Sequence, residues 1–194
     1  MSYTEIYKFD KKGELQGVED IHNSWRGAQA IWRAIEKKYL GYLPKPYWLD
    51  QKDYDETGYS RCSLPFREKG EKKGTIQEIW DVCYGDKISR IDEIVLGSTF
   101  DRVTVKRKNI PELLEAFRSF EYETSLKEQA KAIEDHYNSD DEMIAIAWNQ
   151  TSVCCAFWTE CNYVEGSEEE IPPYNYLNQD KHWDLFSALN PVLS

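Results

Sequence analysis

Apolar and polar residues alternate with a period of two from Glu5 to Asp20, interrupted by Lys11, Lys12 and Gly13. This predicts a β-hairpin opening the fold. The period then lengthens to that of a helix over residues 24–40, with Asn23 or Ser24 to cap it and Gly41 to stop it. Trp25, Ala28, Trp32, Ile35 and Tyr39 share its apolar side, which we read as core, and Arg26, Gln29, Arg33, Glu36 and Lys37 take the other. Residues 42–74 show little periodicity. They hold several prolines and glycines and the aromatics Tyr47, Trp48, Tyr54 and Tyr59, a loop of the length and composition that often carries function.

Helical spacing returns after Thr75, where Thr75 and Glu78 make a capping box and Gly85 a stop, and Ser89 is placed to cap a helix reaching about Leu96. Residues 101–107 read as a strand with Val103 and Val105 on one face. Asn109, Pro111 and Glu112 then open a helix over 110–120 whose buried side is Leu113, Leu114, Phe117 and Phe120. Ser125 and Glu128 form a second capping box for a helix over 125–137, with Leu126, Ala130, Ile133 and Tyr137 inward and Lys127, Lys131 and Glu134 outward. The apolar runs 143–148 and 153–158, joined by Asn149 to Ser152, predict a second hairpin buried on both faces. Trp148, Val153, Cys155 and Phe157 belong to its core, and a terminal helix spans 182–189. The fold class is therefore α+β: a mixed, mostly antiparallel sheet of about five strands, two hairpins plus one strand, with three to five helices packed on it. We expect one domain over 1–194, with residues 42–74 as its irregular excursion.

Composition narrows the function. The chain of 194 residues carries 35 acidic and 24 basic residues, a net charge of −11, which repels nucleic acid and anionic membranes as a whole-molecule effect. The basic cluster Arg102, Lys106, Arg107 and Lys108 is too narrow for a phosphate-tracking stripe and reads as a solvated strand end. No apolar run reaches the length of a membrane span, and Met1 to Glu5 lack the basic-then-apolar pattern of a secretory signal. The expected address is the cytoplasm, and Cys62, Cys83, Cys154, Cys155 and Cys161 are expected to be reduced.

Catalytic signatures are sparse. Gly70 to Thr75 lacks the frame of a phosphate loop, and Gly58 to Cys62 lacks the second glycine of a nucleophile elbow. Cys154, Cys155 and Cys161 with His182 are the one set resembling a metal site, yet adjacent cysteines on a strand diverge, so we expect no metal and no cofactor. His22, His136 and His182 each have a structural explanation. Asn149 to Thr151 spells a glycosylation sequon that a cytoplasmic chain would not use.

The segments Asn23 to Trp32, Thr99 to Val105, Asn109 to Phe117, Ser125 to Ala130 and Ala147 to Cys155 resemble uncharacterised proteins carried by phages and prophages of low-GC Gram-positive bacteria. The resemblance implies a mobile-element origin and a place in the host cytoplasm, but no activity and no functional residue. The chemistry favours a non-enzymatic acidic protein that binds a host protein, as an anti-defence inhibitor could by imitating phosphate charge. Its expected surface comprises Asp140, Asp141 and Glu142, the run Glu168, Glu169 and Glu170, and the aromatics Tyr47, Trp48, Tyr54 and Tyr59. The alternative is a small enzyme or ligand-binding domain with its site between the sheet and the 42–74 loop.

Overall fold

The computed structural model describes residues 3–22, 27–40, 43–44, 66–67, 75–100, 102–122, 124–152, 158, 174–178 and 182–189. The chain divides into two compact units, Met1–Ile31 with Ser89–Ser194, and Trp32–Ile88.

The first unit holds a five-stranded mixed sheet in the order β2-β1-β6-β5-β7, as an α+β fold requires. β1 (Tyr3–Phe9) and β2 (Leu15–His22) form the expected hairpin. Its turn depends on Gly13, whose φ of 77° lies in the left-handed region, and on Asp10, whose Oδ1 accepts the N–H groups of Lys12 and Glu14. An extra residue in β2 between the partners of Ile6 and Tyr7 makes a bulge, which twists this edge. β5 (Val103–Lys106) pairs antiparallel with β6 (Ala145–Ser152), and β6 pairs antiparallel with β1.

The turn expected at Asn149 to Ser152 is strand instead, while residues 153–157 lie outside the described residues. Asn149 to Ser152 continue β6 rather than turning, because β1 offers partners along its whole length: Glu5 faces Asn149 and Tyr3 faces Ser152. The Asn149 amide also donates to the Glu5 carboxylate at 3.4 Å. Pairing overrides local turn propensity. Trp158 is in a turn and buried, while Val153, Cys155, Phe157 and the side chain of Trp148 lie outside the description. Among the described residues the fifth strand of the sheet is β7 (Trp183–Asp184), parallel to β5. The terminal helix is accordingly shorter than expected, Leu185–Ala188.

Register fixes the two faces of this sheet. Ile6, Ile146, Val103 and Val105 share one, all buried. Tyr7, Phe9, Ala145, Ala147 and Thr104 share the other, where Tyr7, Phe9 and the two alanines cluster with Trp158, Tyr174 and Tyr176. The helices of this unit follow the sequence closely. The helix Arg90–Gly97 starts at Ser89, whose hydroxyl accepts the Asp92 N–H. In the helix Ile110–Ser119, Leu113, Leu114 and Phe117 are buried, with Phe120 just beyond its end, and each such side chain contributes about 1.5–3 kcal/mol.

Leu126–Ser139 is the longest helix, but its capping box does not form. Ser125 sits at φ −81°, ψ 6° and is buried, so its hydroxyl accepts from the Gln129 side chain, while Thr124 Oγ1 accepts the Leu126 N–H.

In numbering order these helices are preceded by α1 (Gly27–Ile35) and α2 (Thr75–Cys83), which makes Arg90–Gly97 α3, Ile110–Ser119 α4, Leu126–Ser139 α5 and Leu185–Ala188 α6. The second unit contains a π-helical turn, Glu36–Leu40, directly after α1, a short parallel pair of β3 (Leu43–Pro44) and β4 (Phe66–Arg67), and α2. Glu36, expected outward, is buried at 3% exposure. The change from α to π geometry at this residue ends the 3.6-residue period that placed it. Cys83 is a buried thiol in no disulfide; the other four cysteines lie outside the described residues. Among the described residues no helix is long and apolar enough to cross a membrane.

Candidate functional site

The acidic turn after α5 is built by hydrogen bonds. Asp140 N–H donates to His136 O at 2.9 Å, closing the helix, and Asp140 Oδ1 accepts the Glu142 N–H at 3.0 Å. The other carboxylate oxygen, Oδ2, is held by Lys8 from β1. Arg107 clamps the same turn through carbonyls, donating to Asp140 O at 2.6 Å and Tyr137 O at 2.8 Å, with its guanidinium 4.6 Å from the Tyr137 ring centroid. A cation satisfying the last carbonyls of a helix also complements its dipole.

The three acidic residues are thereby unequal. Asp140 is 24% exposed and structural, and the Lys8 hydrogen bond holds its carboxyl below the usual range. Asp141 is 97% exposed with Arg107 at 3.4 Å, and Glu142 is 66% exposed with Lys11 at 2.7 Å. Ion pairs this exposed are weak and exchangeable. Tyr47, Trp48, Tyr54, Tyr59, Glu168, Glu169 and Glu170 lie outside the described residues, as does the site expected beside the 42–74 loop.

A second polar corner escaped the sequence reading. His182 stacks on Tyr176 with centroids 4.6 Å apart, and its Nδ1 meets the Tyr174 hydroxyl. Asp184 Oδ1 caps α6 through the Ser187 N–H at 2.9 Å, while its buried Oδ2 has no hydrogen-bond partner among the described residues and lies 4.0 Å from Lys106 Nζ. Thr104 donates to Trp183 O at 3.2 Å. Burial lowers the His182 pKa, with the Asp184 charge opposing and Lys106 adding. Burial raises that of Tyr176, with the nearby Thr104 hydroxyl opposing and the Asp184 charge adding. The imidazole ties His182 to Tyr174 and Tyr176, whose rings in turn pack on Phe9 of β1. No sequence motif marks this corner, because it is the fold that brings Tyr174 and Tyr176 to His182.

The second unit contains a cavity of about 300 Å³. Its walls are Tyr39 and Leu40, the last residues of the π turn, with Val82 and Ile88; Asp81, Asp86 and Lys87 also line it. Gly85 sets its shape, because a Cβ there would stand 2.9 Å from Asp81 O, and the Gly85 N–H closes the helix end on Val82 O at 3.1 Å. Nearby, Tyr84 is 42% exposed and stacks on Trp80, centroids 5.3 Å apart. Among the described residues no group of three His, Cys, Asp or Glu side chains is placed to hold a metal ion. Compared with known proteins, the chain matches no family, no curated protein and no solved structure.

Proposed function

We propose that the protein acts by binding a host protein through an acidic surface rather than by turning over a substrate. The observation that carries this reading is the acidic turn: Arg107, Lys8 and Asp140 fix its backbone, so Asp141 and Glu142 are displayed in solvent on a pre-ordered frame. A pre-ordered charged turn loses little entropy on association, and exposed carboxylates steer encounter with a basic partner. The sequence extends the same chemistry, since residues 159–173 carry Glu160, Glu165, Glu168, Glu169 and Glu170 and no lysine or arginine. A surface of this kind fits the basic cleft of a nucleic-acid-handling host protein, the anti-defence role that the resemblance to phage-borne proteins suggests.

The test is affinity capture from a Gram-positive host lysate followed by association kinetics with the captured protein. The on-rate should fall as salt rises from about 50 to 300 mM, and should fall again when Glu168, Glu169 and Glu170 are changed to Lys, or Asp141 and Glu142 to Lys. On-rates indifferent to salt and to both sets of substitutions would end the acidic-surface reading.

A further inference from the structure

Building on that reading, the geometry points to a specific anchor: we propose that the cavity of the second unit receives an arginine side chain presented by the partner protein. Three features of the pocket select this occupant. The first is its size, about 300 Å³, at the lower end for small-molecule sites and with room for one long side chain. The second is its layered chemistry. Leu40, Val82 and Ile88 offer apolar wall for the methylenes of a long side chain, and the exposed Asp86 offers a carboxylate for its charged head; with Asp81 and Lys87 the lining carries one net negative charge.

The third is the Tyr39 ring. Lys38 of the same chain stands 5.7 Å from its centroid, so a cation already lies near this ring and an incoming arginine would compete with it. Guanidinium is planar, weakly hydrated and able both to stack on a ring and to bond a carboxylate with two parallel N–H groups; an ammonium does neither as well. Arginine is therefore favoured over lysine.

The local backbone is shaped for this purpose. A π turn is rare, adds a residue to the helical turn and is frequent at functional sites. Here it carries Tyr39 and Leu40 to the cavity wall. The end of α2 completes the pocket, because the glycine at 85 lets the chain fold back so that Asp86 to Ile88 line the same space.

Two probes test this with the isotope-labelled full chain: N-acetyl-arginine amide, and the same compound with neutral citrulline in place of arginine. The arginine probe should shift the Val82 and Ile88 methyl signals and the Asp86 amide saturably, and citrulline should not. Asp86→Asn, at an exposed position that does not threaten folding, should weaken arginine binding about three- to fivefold, the scale of one exposed ion pair. Val82→Trp should fill the cavity and abolish the shifts, with the unchanged remainder of the spectrum reporting that the variant folds. Absence of saturable shifts at Val82 and Ile88 overturns the anchor, as does an equal response to citrulline. A peptide of alternating arginine and glycine separates the two ideas. If its shifts map to Asp141, Glu142 and the glutamates of 160–170 while the cavity stays silent, the anchor fails and the acidic-surface reading stands. If the arginine probe fills the cavity while the on-rates ignore salt and charge reversal, the converse holds.

Discussion

Lys106 and Arg107 are neighbours in the chain, yet they serve two polar corners of the same sheet that are built on opposite principles. Arg107 faces the acidic turn, where Asp140, Asp141 and Glu142 meet Lys8, Arg107 and Lys11 one to one. Lys106 faces the aromatic corner, where Asp184, His182 and Tyr176 are enclosed by rings, and the nearest cation to Asp184 Oδ2 among the described residues is 4.0 Å away. Matching charge with charge favours the ionised forms, so the Asp140 carboxyl is held below its ordinary value. Enclosure favours neutral forms, so His182 is held below its ordinary value and Tyr176 above. Paired charge should make a corner that survives into acid, and burial should make one that weakens near neutrality.

The largest effect that separates them is expected at Arg107. Changing it to Ala removes a guanidinium from the carbonyls of Tyr137, Asp140 and Met143 together, and should cost about 2–3 kcal/mol in urea unfolding. A loss under about 1 kcal/mol would show that the acidic turn stands without its clamp. Next in size is Gly13→Ala, at about 1–3 kcal/mol, because the new Cβ would carry a left-handed backbone and stand 2.9 Å from the Leu177 nitrogen. The hairpin turn is tied to the aromatic corner at that point, where Tyr176 N–H donates to Gly13 O at 2.9 Å. The substitution should therefore also perturb the His182 signals, and a change confined to the turn would argue that this tie is incidental.

The contrast also explains how much could be read from the chain. Elements set by one dominant local signal were legible. The β1–β2 turn followed from Gly13, α3 from Ser89, and the buried side of α4 from Leu113, Leu114 and Phe117, since periodicity and capping chemistry decide them within a few residues. Where a distant partner decides, the local signal misled. Asn149 to Ser152 read as a turn until β1 supplied pairing partners, and Ser125 read as a cap although its hydroxyl serves Gln129. Trp183 and Asp184 read as helix until Val103 and Thr104 paired with them. The acidic turn was half legible: its charges are in the sequence, but the distinction between a structural Asp140 and a displayed Asp141 needs Lys8, 132 residues away. The His182 corner and the cavity behind the π turn were not legible, because each joins segments whose spacing along the chain carries no motif.

That distinction within the acidic turn gives a finer comparison. Asp140→Asn should cost about 1–2 kcal/mol by leaving Lys8 without its carboxylate in a part-buried setting, whereas Asp141→Asn should stay within about 0.5 kcal/mol. Denaturant melts of the two variants side by side decide it. Equal losses would mean that the turn behaves as a diffuse cluster rather than as one anchor with displayed neighbours, and Asp140 would then join the residues open to charge reversal in the binding test.

The smallest effect expected is a pH slope, and it separates the corners most cleanly. His182 is depressed from its ordinary value of 6.5 by burial, and the groups facing it are Tyr174, Tyr176, Asp184 and Lys106. On acidification the unfolded chain takes up the imidazole proton first, so its proton count exceeds that of the folded state and stability declines as pH falls. The contribution of the neutral imidazole is thus fully present above 6.5, begins to fade at that pH, and is gone below the lower folded value. Asp140 has the opposite chemistry but the same sign. Its depressed carboxyl contributes above the ordinary 3.8 and is lost only in stronger acid, so it leaves the interval near neutrality flat. Unfolding free energies of the parent and of His182→Gln, measured from about pH 8 down to pH 5, isolate the imidazole: the parent should lose stability across this range relative to the variant, whatever the absolute cost of the substitution. Parallel curves would place the His182 proton equilibrium outside the folding balance. They would also show that ring packing on Tyr174 and Tyr176, rather than the neutrality of the imidazole, holds His182 in place.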